Sequence, residues 1–169
     1  VAAGDCRCGG LMCWTGPGAF CTEMLGDLGA DVIKVSDVSP ETLGYLTAMV
    51  FTDFPGLRNC RTFSVNLKTE MGRGVFLDLA KSADVVMEGF RPGVVKRLAI
   101  DYDAIREANP RAVYASFSGY GQDGPYHDIP GHELNYAAIS GLLGLTGRRG
   151  LAGPGAGRLD RAFATARLR

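Results

Sequence analysis

Charge of one sign is the first thing this sequence lacks. Its 169 residues carry 18 basic and 18 acidic side chains, a formal net charge of zero. That balance gives no electrostatic signal for a nucleic-acid partner. Long apolar runs are also missing, so no stretch reads as a membrane span. The N-terminus shows no charged region followed by an apolar block, which argues against a signal peptide. The last residues, Arg167-Leu168-Arg169, are not a peroxisomal address. The expectation is a cytoplasmic protein with no membrane or nucleic-acid partner. Histidine is scarce: His127 and His132 are the two present. Cysteine occurs at 6, 8, 13, 21 and 60, without a Cys-x-x-Cys pair or a nearby histidine. Those spacings match no usual zinc pattern, so the expectation is no metal site and free thiols in a reducing compartment. What the sequence does have is 46% apolar residues over a length sufficient for one domain with its own core.

The middle of the chain alternates between two periods. Residues 20–28 read as a helix that stops at Gly29, where glycine suits a left-handed C-terminal turn. Residues 30–35 form a β-branched run. Residues 62–67 alternate like a strand. Residues 70–82 have helical spacing, with Met71, Val75 and Leu79 one turn apart and Phe76 and Ala80 beside them. Residues 84–87 and 112–117 read as strands. Residues 94–98 and 102–108 read as short helices, the second stopped by Asn109-Pro110. Residues 134–145 read as one further helix. Strands alternating with helices predict an α/β fold, a Rossmann-like parallel sheet with crossover helices. In such sheets ligands bind beyond the carboxyl ends of the strands, which points to the loops after 67, 87 and 117.

The two ends differ from this pattern. Residues 1–15 mix glycine, cysteine and alanine without a readable period. Residues 148–169 carry six arginines against one aspartate. They read either as a flexible tail or as a segment translated out of frame.

Three groups of residues invite chemistry. The first is Gly131-His132-Glu133-Leu134-Asn135-Tyr136, which sets an imidazole beside a carboxylate. Such a pair can take and return a proton near neutral pH, though it is more often a surface or capping pair. The second, Gly119-x-Gly121-x-x-Gly124, has the letters of a dinucleotide fingerprint. It is followed by Pro125 and Pro130 rather than a helix, and no acidic residue stands about 20 positions on. The glycines read better as turns, or as places where the backbone approaches another ligand. The third is basic: Arg58, Arg61 and Lys68 around one strand end, then Arg91, Lys96 and Arg97 after the next. These read as a phosphate clamp or, more simply, as a solvated rim.

Several segments, taken in order, resemble CoA-transferase family III. They are Met24 to Val35, Ala83 to Val94, Asn109-Pro110-Arg111, and Ser118 to Pro125. The resemblance covers about residues 16–147, as an incomplete domain of that fold. Gly131 to Tyr136 resembles the α-methylacyl-CoA racemase branch, as does Leu57-Arg58-Asn59-x-Arg61. The resemblance implies a racemase that moves the α-proton of a 2-methylacyl-CoA through an enolate, with two bases. It places the first base at His132 and the second at Asp160. It assigns coenzyme A contacts to Val65, Asn66, Leu67, Lys68, Gly89, Phe90, Arg91 and Arg97, with Gly131, Glu133, Leu134, Asn135 and Tyr136 at the reacting end. It implies no cofactor beyond coenzyme A carried by the substrate, and interlocked homodimers. An alternative is a CoA-transferase with an aspartate nucleophile; another is an inactive fragment that binds coenzyme A. The chain departs from the family in four respects. No first strand is readable before Gly16, Ser36-Asp37 stands where a basic residue is expected, Glu133 replaces aspartate, and full members are much longer.

Overall fold

The computed structural model describes residues 6–11, 16–40, 42 and 58–145. Two compact units divide the chain, residues 1–117 and 118–169.

The first unit is built on a five-stranded parallel sheet of order β3-β2-β1-β4-β5. Its strands are β1 (Arg7–Leu11), β2 (Asp31–Ser36), β3 (Cys60–Ser64), β4 (Val85–Glu88) and β5 (Val113–Ser116). Its helices are α1 (Gly16–Asp27), α2 (Glu70–Ala80), α3 (Val94–Arg97) and α4 (Tyr102–Ala108). The α/β parallel-sheet expectation therefore holds. The chain order reverses between β1 and β4, which makes the carboxyl ends of these two strands the topological switch point, the place where parallel sheets of this kind bind ligands.

The central strand is the one the sequence did not show. Arg7-Cys8-Gly9-Gly10-Leu11 has no β-branched residue, yet it pairs with β2 on one side and β4 on the other. Ladder bonds from both neighbours fix a segment whose own preference is weak. Other boundaries shift by one to four residues. Helix α1 begins at Gly16 rather than at residue 20, and Gly29 takes φ 96°, the left-handed stop its type allows. The strand read at 62–67 runs from Cys60 to Ser64. Helix α4 falls on the expected residues, with Asp101 accepting from Ala104 N–H at its start.

Side-chain alternation along the strands divides the core. Val35 and Val86 face α2 and α4, packing with Phe76, Ala80, Ile100 and Ile105. Val32 and Met87 face the opposite way, with Ala30, Cys21 and Leu25. On α2 the buried stripe is Gly72, Phe76 and Ala80, while Met71 is 82% exposed. Of the apolar residues expected on this helix, Phe76 and Ala80 are the buried ones, and Gly72 rather than Met71 continues their stripe. The close approach of Gly72 to the carbonyl of Asn66 sets the helix rotation: a Cβ there would lie 2.1 Å from that oxygen.

In the second unit, α5 (Glu133–Ile139) and α6 (Leu142–Leu145) replace the single helix read at 134–145. Gly141 stands between them at φ 79°. No helix among the described residues is long and apolar enough to cross a membrane.

Candidate active site

The carboxyl ends of β3 and β4 carry the first set of predicted contacts. Val65 continues the β2–β3 ladder, its N–H donating to the Ser36 carbonyl at 2.9 Å. Asn66 turns the chain: its Oδ1 accepts from Lys68 N–H at 3.0 Å, and its carbonyl accepts from Thr69. Thr69 Oγ1 then caps α2 through Gly72 N–H. Leu67 is buried in the core, whereas Lys68 is exposed. After β4, Gly89 and Arg91 are exposed and Phe90 is half-buried against the core. Gly93, at φ 80°, opens the short helix α3, and Arg97 returns over it, with Nη1 3.5 Å from the place of a Gly93 Cβ. Arg97 is thereby brought to the loop that carries Arg91.

The basic residues separate by where they stand. Arg58 and Arg61 lie at the amino end of β3, away from Lys68, which corrects the single cluster read from the sequence. Arg58 pairs with Glu23 at 2.6 Å and Asp27 at 2.5 Å, and Arg61 pairs with Asp31 at 2.5 Å. The Arg58 guanidinium holds the Asp27 carboxyl below its ordinary pKa, chiefly by hydrogen bonding. Lys68, Arg91 and Arg97 are exposed and form no ion pair among the described residues. Charges already matched at the amino end bring little to an anion. Unmatched ones at the carboxyl end are available for phosphate. A cleft of about 300 Å³ lined by Asp31, Arg61, Phe76 and Val86 opens at the amino end, on the side away from these loops. Ser36, where a further basic residue was expected, is buried and shares a 2.8 Å hydrogen bond with Ser64.

Glu88 is a residue the sequence reading missed. It ends β4 with 2% exposure. Its Oε2 accepts from Phe90 N–H at 2.8 Å, and its Oε1 accepts from the Ser116 hydroxyl on β5. Burial raises its pKa, against the opposing pull of these donors. The Tyr114 hydroxyl is buried nearby but out of hydrogen-bond geometry, so it is a neighbour of the carboxylate rather than a donor to it. Burial, followed by the Glu88 charge, pushes the Tyr114 phenol up. The signal for Glu88 was a lone carboxylate closing an apolar run, Val85-Val86-Met87-Glu88.

The second unit holds the histidines. His127 is engaged locally, Nδ1 2.7 Å from the Gly124 carbonyl and Nε2 2.9 Å from Asp128. His132 is exposed at the start of α5. Its backbone is tied from both directions: its N–H donates to Asn135 Oδ1 at 3.0 Å, and its carbonyl accepts from Asn135 N–H at 2.9 Å. Tyr136 fixes the residue before it, donating from Oη to the Gly131 carbonyl at 2.6 Å. The Tyr136 ring meets Tyr120 edge to face, centroids 5.1 Å apart. Two glycines lie close against this pair of rings. A Cβ on Gly119 would lie 2.1 Å from Tyr136 Oη, and one on Gly131 would lie 2.7 Å from Tyr120 Oη. Burial, then Tyr120, raises the Tyr136 phenol pKa. Leu134 is 63% exposed on the same turn of α5. Gly124 opens no helix, since the next helical residue is Glu133, so the dinucleotide fingerprint lacks its structural half. Asp160 lies outside the described residues.

The first unit thus carries residues 65–68 after β3 and 88–91 and 97 after β4, with β2 and β1 between those two strands, and the second unit carries 131–136. The sequence profile described as CoA-transferase family III matches residues 11–159. An acyl-CoA transferase of Fusarium pseudograminearum is 41% identical over 146 residues, covering 78% of this chain and 32% of its own length. The α-methylacyl-CoA racemase of Mus musculus is 34% identical over 134 residues, covering 79% and 32%. The crystal structure of a hypothetical protein from Mycobacterium tuberculosis superposes with a TM-score of 0.72 at 35% identity, covering 82% of this chain and 39% of that one. The chain spans about a third of the length of the curated relatives it matches.

Proposed function

The chain belongs to CoA-transferase family III, and on that premise we propose that it carries part of the acyl-CoA site of a 2-methylacyl-CoA racemase. The observation that supports this most is His132, exposed and held at its backbone by Asn135, beside a Gly131 carbonyl fixed by Tyr136. An α-proton next to a thioester is weakly acidic, so its removal needs a base held in place. His132 takes that proton: the C–H bond breaks, an N–H bond forms, and the electron pair moves to the thioester oxygen as an enolate. A proton from the second acid, proposed at Asp160, forms the new C–H bond on the opposite face. Loop N–H groups at the carbonyl oxygen stabilise the enolate. Lys68, Arg91 and Arg97 hold the phosphates of coenzyme A, which enters and leaves as part of the substrate and is the one cofactor required. Activity belongs to an assembly of the relatives' length, in the interlocked dimer implied by the resemblance, and the 169-residue chain alone is expected to bind but not turn over.

A second reading is supported by the Fusarium relative, named an acyl-CoA transferase. There an aspartate, Asp160, attacks the thioester carbonyl and releases the coenzyme A thiolate, leaving an acyl anhydride on the enzyme. The test uses a chain extended to the relatives' length, given 2-methylacyl-CoA in heavy water. The racemase reading expects deuterium at the α-carbon and a loss of about 10²–10⁴ in exchange rate with His132→Ala. Acyl transfer between acceptors without deuterium entry would sink it in favour of the transferase.

A further inference from the structure

Glu88 occupies an unusual place for a carboxylate. It is almost wholly buried, at the carboxyl end of a strand flanking the switch point, directly before the loop Gly89-Phe90-Arg91. Its strand partner across the switch is Leu11 of β1, and on its other side it stands opposite Ser116 of β5. Both carboxylate oxygens are committed, one to the Ser116 hydroxyl and one to Phe90 N–H. Its own carbonyl accepts from Phe117 N–H at 2.8 Å, extending the β4–β5 ladder past Ser116. The residue is therefore clamped on its backbone and on its side chain, and the clamp reaches forward two residues into the loop. Burying a carboxylate disfavours its charged form. A neutral side chain would fit this spot more cheaply, and an ionised one is the stronger acceptor for a backbone N–H.

We propose that Glu88 is the positioning residue of the ligand loop: held by Ser116, its carboxylate fixes Phe90 N–H and so sets the direction in which Phe90 and Arg91 leave the sheet toward coenzyme A. This rests on the acyl-CoA reading above. Glu88 touches neither ligand nor reacting atoms. It acts through Phe90, whose ring packs back on the core, leaving Arg91 exposed on the far side of a fixed turn. Without the carboxylate, Phe90 N–H loses its partner and the loop its fixed exit angle.

The test is calorimetric titration of coenzyme A into the 169-residue chain and its Glu88→Ala and Glu88→Gln variants, with circular dichroism to check that each is folded. Glu88→Ala is expected to weaken coenzyme A about tenfold, the effect of losing one charge-assisted hydrogen bond. Glu88→Gln keeps the shape but not the charge. It is expected to bind more weakly than wild type at pH 8 and to converge on wild type as the pH falls and Glu88 takes up its proton. Tyr114 on β5 faces Glu88, and Asp101 at the start of α4 acts in turn on Tyr114. These groups and the ligand's phosphates are common to the wild type and the Gln variant, so their ratio isolates Glu88. A merely structural carboxylate would change melting temperature without this pH-dependent ratio. Should Glu88→Ala unfold, the Gln comparison decides alone. Binding that neither variant changes, or a ratio independent of pH, would overturn the inference. Absence of coenzyme A binding by the wild-type chain would overturn the ligand reading, and the inference with it.

Discussion

Gly119→Ala is the substitution whose outcome follows most directly from coordinates. The added Cβ would stand 2.1 Å from Tyr136 Oη, 2.4 Å from Cε1 and 2.5 Å from Cζ. Ordinary contact begins at 3.4 Å, so the ring must retreat by about 1.3 Å. It cannot do so and keep its 2.6 Å hydrogen bond to the Gly131 carbonyl or its edge-to-face contact with Tyr120. Overpacking, the lost hydrogen bond and the lost aromatic pair together cost about 2–6 kcal/mol. The same retreat frees the Gly131 carbonyl, and His132 is the next residue. In a chain of the relatives' length, a displacement of about 1 Å at a base lowers the rate by about 10². The assay is a double-mutant cycle in urea with Tyr136→Ala. If the ring is what Gly119 accommodates, Gly119→Ala should be nearly neutral once the ring is gone, a coupling well above about 0.5 kcal/mol. An equal cost in both backgrounds would refute the reasoning and assign the glycine to its own backbone conformation.

Two further outcomes are expected. Arg97→Glu should weaken coenzyme A by about tenfold or more, since contacts to a charged group contribute about 1.5–3 kcal/mol. A coenzyme A analogue without phosphates should lose much less, and equal loss for both would indicate a folding defect. Burial holds the Glu88 pKa above its unfolded value of about 4.3. The stability this contributes is fully present below the unfolded value and is lost as the pH rises through the folded one. Wild type should therefore lose stability relative to Glu88→Gln as the pH is raised from about 4 to 8, measured by urea unfolding. A relative gain over that range would show that the hydrogen bonds outweigh burial.

Local signals were enough where the chain decides its own conformation. Helix α4 is bounded by Asp101 and Asn109-Pro110 and falls on the residues expected. Gly29 stops its turn because only the left-handed conformation continues the chain there. The β-branched runs of β2 and β4 announced buried strands, and their alternation with helices announced the parallel sheet. The segment 131–136 was legible as a candidate site from residue types alone, because histidine is rare in this chain and glycine precedes it.

Tertiary structure decided what depends on partners distant in sequence. Strand β1 exists because β2 and β4 offer ladders on both sides of Arg7–Leu11, a segment with no strand preference of its own. The buried face of α2 was set by the contact between Gly72 and Asn66, which moved the stripe from Met71 to Gly72. Arg58 and Arg61 were removed from any ligand clamp by carboxylates about thirty residues away, Asp27 and Asp31. Glu88 became a buried anchor only because β5 places Ser116 opposite it. A sequence states which groups a chain can offer. Burial and distance decide which are already satisfied within the fold and which remain to meet a ligand, and both are set by contacts that no local pattern records.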